Sequence, residues 1–236
     1  MPRPDGRAVD ALRTLRFETH VQRQAAGSCL IRTGNTAVLC AATVEAGAPK
    51  WKREPGGWVT AEYAMLPGSG DRRVPRKENG RAVEIQRLIG RSLRAAVDLV
   101  RLGEFTITVD CDVLDADGGT RTAAITGGWV ALSLACEGLV RKGLLAASPV
   151  IHPVAAVSVG LVDDEARLDL EYLEDSAAGT DMNVVGIPGS GLIEVQGTAE
   201  RAPFTRVQLT RLLDLAESGI ARLAEAQRLA VQDGLR

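Results

Sequence analysis

The stretch that decides the fold is Asp110-Cys-Asp-Val-Leu-Asp-Ala-Asp-Gly-Gly-Thr-Arg-Thr122. It continues a β-rich run from Phe105 and leads into a long apolar segment, so a strand, a glycine turn and a helix start are predicted to meet here. The two glycines let the backbone approach a bound group, and Thr120 takes an N-cap or first-turn position. Free N–H groups at the helix start, together with the guanidinium of Arg121, favour a phosphate-sized anion.

A turn of this kind can also serve only to reverse the chain, and local sequence alone leaves that alternative open. The spacing differs from the Gly-x-x-x-x-Gly-Lys-Ser/Thr of a Walker A loop and from Gly-x-Gly-x-x-Gly. A nucleoside triphosphate or dinucleotide site is therefore not indicated.

The composition excludes several classes of protein. The chain has 236 residues, 45% hydrophobic content and a net charge of −2, so it carries no overall basic footprint for nucleic acid. We expect no apolar run to reach the length of a membrane span, and the N-terminal segment lacks the apolar core of a signal peptide. Membrane and DNA are therefore not expected as partners.

The cysteines and histidines limit the possible chemistry further. The four cysteines form no Cys-x-x-Cys pair and lie in apolar runs, so we expect buried free thiols in a cytoplasmic protein and no zinc. Only two histidines are present, which leaves little for a His-based triad. With 3% aromatic residues, stacking cannot dominate any contact with RNA.

The pattern along the chain predicts an α+β fold with helices that cover mixed sheets. Strands are predicted at residues 15–22, 28–33, 36–44, 58–66, 105–114, 154–162, 167–172, 183–187 and 192–196. Helices are predicted at residues 85–100, 121–143 and 205–231. The two halves, at about 8–142 and 150–232, are expected to share one core within a single domain of residues 1–236.

Charge is segregated along the chain. Residues 71–101 hold nine Lys/Arg and four Asp/Glu, a net of +5, whereas residues 163–181 hold eight acids and one arginine, a net of −7. Within the acidic part, Asp175 and Asp181 end a loop of small residues, which could fold back and bring the two carboxylates together. Such a pair can hold Mg²⁺ or act as a general acid. Surface segregation and exposed or capping acids are the alternatives.

These motifs together resemble the ribonuclease PH family of phosphate-dependent 3′-exoribonucleases. Besides the glycine turn, the resemblance rests on Arg3-Pro-Asp-Gly-Arg7, Gly57-Trp-Val-Thr-Ala-Glu-Tyr63, Glu84-Ile-Gln-Arg-Leu-Ile-Gly-Arg-Ser-Leu-Arg-Ala95, Glu174-Asp-Ser-Ala-Ala-Gly-Thr-Asp-Met-Asn-Val-Val185 and Glu194-Val-Gln-Gly-Thr-Ala-Glu200. The match runs in order along essentially the whole chain. Exosome ring subunits and polynucleotide phosphorylase share the fold.

The resemblance implies a fold like that of ribosomal protein S5 domain 2, with mixed sheets in two βαβ-type lobes. It implies an enzyme that trims the 3′ ends of transfer-RNA precursors and other RNAs, with inorganic phosphate as co-substrate, Mg²⁺ as cofactor and nucleoside 5′-diphosphates as products. It also implies a homohexameric ring, a trimer of dimers.

The resemblance also implies roles for particular residues. The phosphate ligands would be Arg81, the Gly119 backbone, Thr120 and Arg121. The catalytic and metal-binding carboxylates would be Asp175 and Asp181, with Asp181 the first choice for the general acid. Contacts with RNA would come from Arg72, Arg73, Arg76 and Lys77.

The sequence departs from the family pattern in one loop. Pro67 is followed by Gly68-Ser69-Gly70 where the family commonly has a basic residue, and the loop to Arg81 is shorter. Two other functions stay open: a non-catalytic RNA-binding ring subunit and a metal-dependent hydrolytic exonuclease. The first would be expected to lack Arg121 or one of the two aspartates, which this chain retains.

Overall fold

A computed structural model describes residues 3–76 and 80–236. Its strands are β1 (Leu15–Thr19), β2 (Gly27–Thr33), β3 (Thr36–Ala46), β4 (Trp58–Met65), β5 (Phe105–Asp115), β6 (Ala155–Val162), β7 (Glu165–Leu168), β8 (Thr180–Ile187) and β9 (Gly191–Ala199). Its helices are α1 (Gly80–Arg94), α2 (Thr120–Arg141), α3 (Tyr172–Ala177) and α4 (Arg206–Gly234).

The first sheet has the strand order β1-β2-β3-β5-β4. Its pairs are antiparallel except that β4 and β5 run parallel and are joined through α1, which packs on β4. A parallel pair needs such a crossover, whereas β2 and β3 need only the tight turn at Gly34-Asn35. Strand β5 pairs on one side with β3 and on the other with β4, so it is held on both edges directly before the glycine turn.

The second sheet has the order β7-β6-β8-β9 and is antiparallel. Helix α4 packs on β6, β7 and β8, and α2 contacts both the first sheet and β6. Val154, Ala156 and Val185 from the second half join the core of the first half. The α+β class is therefore confirmed, while the predicted limits of the two lobes stay a prediction.

Helix α2 is the central element of the core. It is long and apolar enough to cross a membrane by length and composition, contrary to our expectation from the sequence, but 83% of its most apolar window is buried in the protein. That burial is typical of a core helix, because both of its faces are covered by other elements.

Several predicted boundaries were wrong, and three of the differences have a clear physical cause. Helix α1 ends at Arg94, before the predicted residue 100, because Val97 forms a β-bridge with Val150. The strand predicted at residues 167–172 ends at Leu168, since Asp169 adopts a left-handed backbone with φ of 56°. The predicted loop from Asp175 to Asp181 is instead the end of α3 followed by the start of β8, because a capping box begins a helix at Tyr172.

Candidate active site

An open cleft of about 1340 Å³ lies where the two sheets meet. The glycine turn, the loop at residues 68–72, α3 and β8 form its walls. The cleft brings together every residue to which the sequence assigned phosphate or acid chemistry: Arg81, Gly119, Thr120, Arg121, Asp175 and Asp181.

The glycine turn has a backbone that only glycine adopts readily. Gly118 and Gly119 have φ of 74° and 65°, in the left-handed region. A Cβ at Gly118 would also lie 2.8 Å from the carbonyl oxygen of Leu170 and 2.9 Å from the backbone nitrogen of Tyr172. The absence of a side chain therefore lets the turn contact the segment that leads into α3.

Helix α2 begins with an N-terminus that the protein does not neutralise. Its N-cap is Gly119, which has no side chain to accept a bond from the first turn, and the first turn contains no acidic residue. The positive end of the dipole of this 22-residue helix thus faces the cleft. This arrangement favours an anion at the turn.

Side chains from two separate segments hold the turn in place. Arg13 donates to the carbonyl oxygen of Asp117 at 2.6 Å and to Asp169 Oδ1 at 2.7 Å. Asp117 accepts from Asn35 Nδ2 at 3.0 Å, and Thr36 Oγ1 donates to the carbonyl oxygen of Gly118 at 2.6 Å. The turn is thus preorganised before any ligand binds.

The side chains beside the turn are engaged with neutral or acidic partners. Arg121 Nη1 donates to Gln196 Oε1 at 3.0 Å and lies 3.6 Å from Glu84 Oε1. Thr120 Oγ1 shares a 2.9 Å hydrogen bond with the Tyr63 hydroxyl. The guanidinium of Arg121 therefore contacts side-chain oxygen atoms of the protein. From the same position it could bind an anion.

The two aspartates influence each other through their charges. Burial raises the pKa of Asp175 and the charge of Asp181 raises it further, while the positive charges of Arg121, Arg81 and Arg13 oppose the rise. Two carboxylates and three guanidinium groups are thus close enough to interact across one cleft. Burial and the like charge both favour the protonated form of Asp175.

The helix that carries Asp175 is anchored by an ion cluster on its other side. Glu174 is 2% exposed, and its carboxylate accepts from Arg3 at 2.7 and 2.8 Å, from Arg7 at 3.2 Å and from Arg167 at 3.1 Å. Burial alone would raise the pKa of Glu174, but the hydrogen bonds and charges of Arg3 and Arg167 outweigh it and lower that pKa. The N-terminal segment is therefore tied to α3.

The predicted RNA ligands are distributed over several places. Arg72 lines the cleft, together with Arg32, which the sequence analysis did not single out. Arg76 lines a neighbouring cavity of about 620 Å³ that also reaches Arg81. Arg73 is exposed, and Lys77 lies outside the described residues.

A metal would have two carboxylates available here. Residues 3–76 and 80–236 contain no cluster of three or more His, Cys, Asp or Glu side chains suited to a metal. Asp175 and Asp181 still fit Mg²⁺, which commonly binds one or two carboxylates and completes its shell with water and substrate phosphate.

Sequence reasoning missed the partners of the predicted ligands. Tyr63, Glu84 and Gln196 lie in stretches that carried the resemblance, but nothing in those stretches shows which side chain meets Thr120 or Arg121. Arg13 stands alone between apolar and polar residues and gave no signal. Each contact joins segments that are far apart in the sequence: Tyr63 and Thr120 are 57 residues apart, and Arg121 and Gln196 are 75 residues apart.

Comparison with protein families identifies the class of protein as a nuclease. The chain belongs to the 3′ exoribonuclease family, whose domain 1 model matches residues 11–136 and whose domain 2 model matches residues 152–219.

The similar curated proteins are ribonuclease PH enzymes. That of Synechococcus sp. (strain CC9605) is 53% identical over 232 residues, covering 97% of this chain and 94% of the relative. That of Prochlorococcus marinus (strain MIT 9313) is 53% identical over 234 residues, covering 98% and 96%.

Similar solved structures include a chain of an archaeal exosome and rice Rrp46. A chain of the Archaeoglobus fulgidus exosome with RNA bound to the active site has a TM-score of 0.84 at 24% identity, with 95% of this chain and 92% of that chain covered. Rice Rrp46 has a TM-score of 0.81 at 19% identity, with 97% and 100% covered. At these identities the likeness shows the fold.

Proposed function

We propose that this chain is a phosphate-dependent 3′-to-5′ exoribonuclease that releases nucleoside 5′-diphosphates from the 3′ ends of transfer-RNA precursors. The observation that carries the proposal is the cleft itself. It places an unneutralised helix N-terminus and two arginines, Arg81 and Arg121, opposite the acids Asp175 and Asp181. The ribonuclease PH relatives, 53% identical along nearly the full chain, support the same activity.

The donor set suits inorganic phosphate as the nucleophile. Because phosphate itself attacks the terminal phosphorus, the protein need not supply a serine, cysteine or histidine. It must instead hold one anion beside an anionic phosphodiester, which requires fixed positive groups. The backbone at Gly119, the hydroxyl of Thr120 and the guanidinium groups of Arg81 and Arg121 supply those groups. In-line attack then forms the new P–O bond as the bond to the 3′ oxygen breaks.

The leaving 3′ oxygen needs a proton, and the acid pair can supply it. Asp181 remains our first choice for the general acid, and its charge adds to burial in raising the pKa of the neighbouring Asp175. When bound by the same pair, Mg²⁺ would supply further positive charge to offset that of the phosphates. The reverse reaction, addition of a nucleotide at high nucleoside diphosphate, uses the same groups.

RNA would enter along the arginine-bearing side of the cleft. Arg72 lines the cleft, and Arg73 and Arg76 are exposed on the same loop, which suits contact with a phosphate backbone. We further propose that six chains form a ring, as a trimer of dimers. Similarity in fold to exosome subunits supports a ring assembly.

The product of the reaction tests this proposal. Wild-type protein is incubated with a 3′-tailed transfer RNA and Mg²⁺, with and without phosphate. We expect nucleoside 5′-diphosphates that appear only when phosphate is present. Nucleoside monophosphates formed without phosphate would instead show a hydrolytic exonuclease, and RNA binding without any product would show a non-catalytic subunit.

A further inference from the structure

We propose that the ring of Tyr172 stacks on a base at the 3′ end of the RNA and so positions the terminal phosphodiester at Asp175 and Asp181. The inference rests on the proposed phosphorolytic function and adds a subsite to it. Among the described residues that line the cleft, Tyr172 carries the sole aromatic ring.

The ring is available to a ligand although its backbone is fixed. Tyr172 is 50% exposed, so one half of its side chain is accessible to a ligand. Its backbone N–H donates to Asp117 Oδ1 at 3.3 Å, and the capping box of Glu171 and Glu174 begins α3 at this residue. A half-exposed ring on a fixed backbone loses little entropy when a flat base covers it.

Two features bring Tyr172 close to the glycine turn and to Asp175. Gly118 has no Cβ, and this lets the segment that ends at Tyr172 lie against the anion-binding turn. Tyr172 and Asp175 are three residues apart on α3, so they share one side of the helix, with a rise of about 4.5 Å between them. Tyr172 thus lines the same cleft as the phosphate turn and the acid pair.

Stacking also suits the substrate. An enzyme that removes successive nucleotides meets every base in turn, and a ring face accepts all four because each base has a π face. Hydrogen-bond readout of base edges would instead favour one base. The neighbouring Leu173 is more exposed, at 63%, but it does not line the cleft, so it provides a matched control.

The test compares Tyr172→Ala, Tyr172→Phe and Leu173→Ala in phosphorolysis of RNA oligonucleotides. We expect Tyr172→Ala to raise KM for RNA roughly 5- to 100-fold, the range that loss of one stacked base gives. KM for phosphate should stay unchanged, and Tyr172→Phe and Leu173→Ala should behave as wild type. Oligonucleotides without a base at the last or the next-to-last position identify the stacked base. One of them should weaken binding to wild type but not to Tyr172→Ala.

Three outcomes would overturn the inference. The first is an unchanged KM for RNA in Tyr172→Ala, with wild type still releasing nucleoside diphosphates, which would leave the proposed function intact. The second is equal loss in Tyr172→Phe and Tyr172→Ala, which would assign the effect to the hydroxyl. The third is a change of oligomeric mass in Tyr172→Ala, which would place the ring in a subunit contact. Absence of phosphate-dependent release by wild type would remove both the function and the subsite.

Discussion

Arg121, the proposed phosphate ligand, already contacts oxygen atoms of the protein at the cleft. Its guanidinium rests on Gln196 and lies near Glu84, and its side chain is 20% exposed. An anion that enters the cleft therefore replaces protein oxygens as the partner of this group. Binding is then an exchange of partners, which lowers the net free energy gained from the new contact.

We predict that Arg121→Ala reduces kcat/KM for phosphorolysis by at least about 100-fold, the cost of removing one group that stabilises transition-state charge. Arg87→Ala, at an exposed position on α1, is the control and should keep wild-type activity. Saturating phosphate should also raise the Tm of wild type but not that of Arg121→Ala, because only a bound ligand stabilises the fold. Near-normal activity of Arg121→Ala would refute the role proposed for this residue.

At this scale, the sequence predicted candidate residues that the structure brings into one cleft, but not the side chains that hold them. Thr120 and Arg121 could be singled out because the proposed anion site is local, made by one turn and the helix after it. Tyr63 and Gln196 could not, because each meets its partner only after the strands have paired. Asp175 and Asp181 were predicted as one loop, yet the helix start at Tyr172 and the strand start at Thr180 place them on different elements.

At the scale of elements, the contact between the glycine turn and α3 decides how the cleft is formed. We predict that Gly118→Ala destabilises the protein more than Gly143→Ala, which serves as its control. Both glycines have φ near 70°, so both variants meet the cost of a left-handed alanine, about 1 kcal/mol. Only at Gly118 would the new Cβ also meet backbone atoms at 2.8–2.9 Å, whereas no atom lies within 4 Å at Gly143.

Urea denaturation of the two variants measures this difference, and thermal shifts with phosphate report on the site. Gly118→Ala should also lose the stabilisation by phosphate, because its turn must move away from α3. Equal stabilities of the two variants would mean that the close contact is not a constraint on the fold.

The ion cluster at Glu174 gives a second prediction for this scale. Glu174→Gln should destabilise the protein by about 3 kcal/mol, because three arginines would remain around a neutral group in a buried position. Glu225→Gln, in an exposed pair with Arg228, is the control and should leave stability unchanged within error. Urea denaturation of both variants at neutral pH checks this.

The effect of Glu174→Gln should depend on pH in a defined direction. Because the pKa of Glu174 is lowered in the folded protein, its stabilising contribution is complete above the ordinary glutamate pKa. That contribution is lost as pH falls through the folded-state pKa. The difference in free energy of unfolding between wild type and Glu174→Gln should therefore shrink in that acidic range. A difference that grew there would contradict the stabilising role of the ion cluster.

At the scale of the whole molecule, the pattern along the chain predicted the α+β class and most strands, and the resemblance implied the particular fold. The antiparallel second sheet and the position of α2 could not be read from periodicity. An all-round apolar helix shows that it is buried but not which surfaces cover it. In the structure α2 contacts strands of both sheets, and a few residues of the second half join the main core cluster, whereas β6, β7, β8 and α4 form a second cluster of their own.

We predict that the wild-type protein has a mass of about 150 kDa in solution, six chains of 25.0 kDa each. Edge strand β9 exposes Leu192 and Val195, at 39% and 40%, and a ring assembly could cover such apolar surface. Light scattering across a range of concentrations measures the mass. A protein that stays monomeric while it releases nucleoside diphosphates would contradict the hexamer.

The placement of the four thiols has a practical consequence. Cys29, Cys40 and Cys111 lie on the first sheet and Cys136 on α2, all of them free and buried, and the second sheet contains none. Burial raises the pKa of Cys29 and of Cys136 to about 12, so the reactive thiolate is scarce at neutral pH. An alkylating reagent would therefore modify this protein only during transient openings. The rate of alkylation would therefore measure how often the first sheet and α2, which carry the cysteines, open transiently. The native thiols would report this opening without an engineered label.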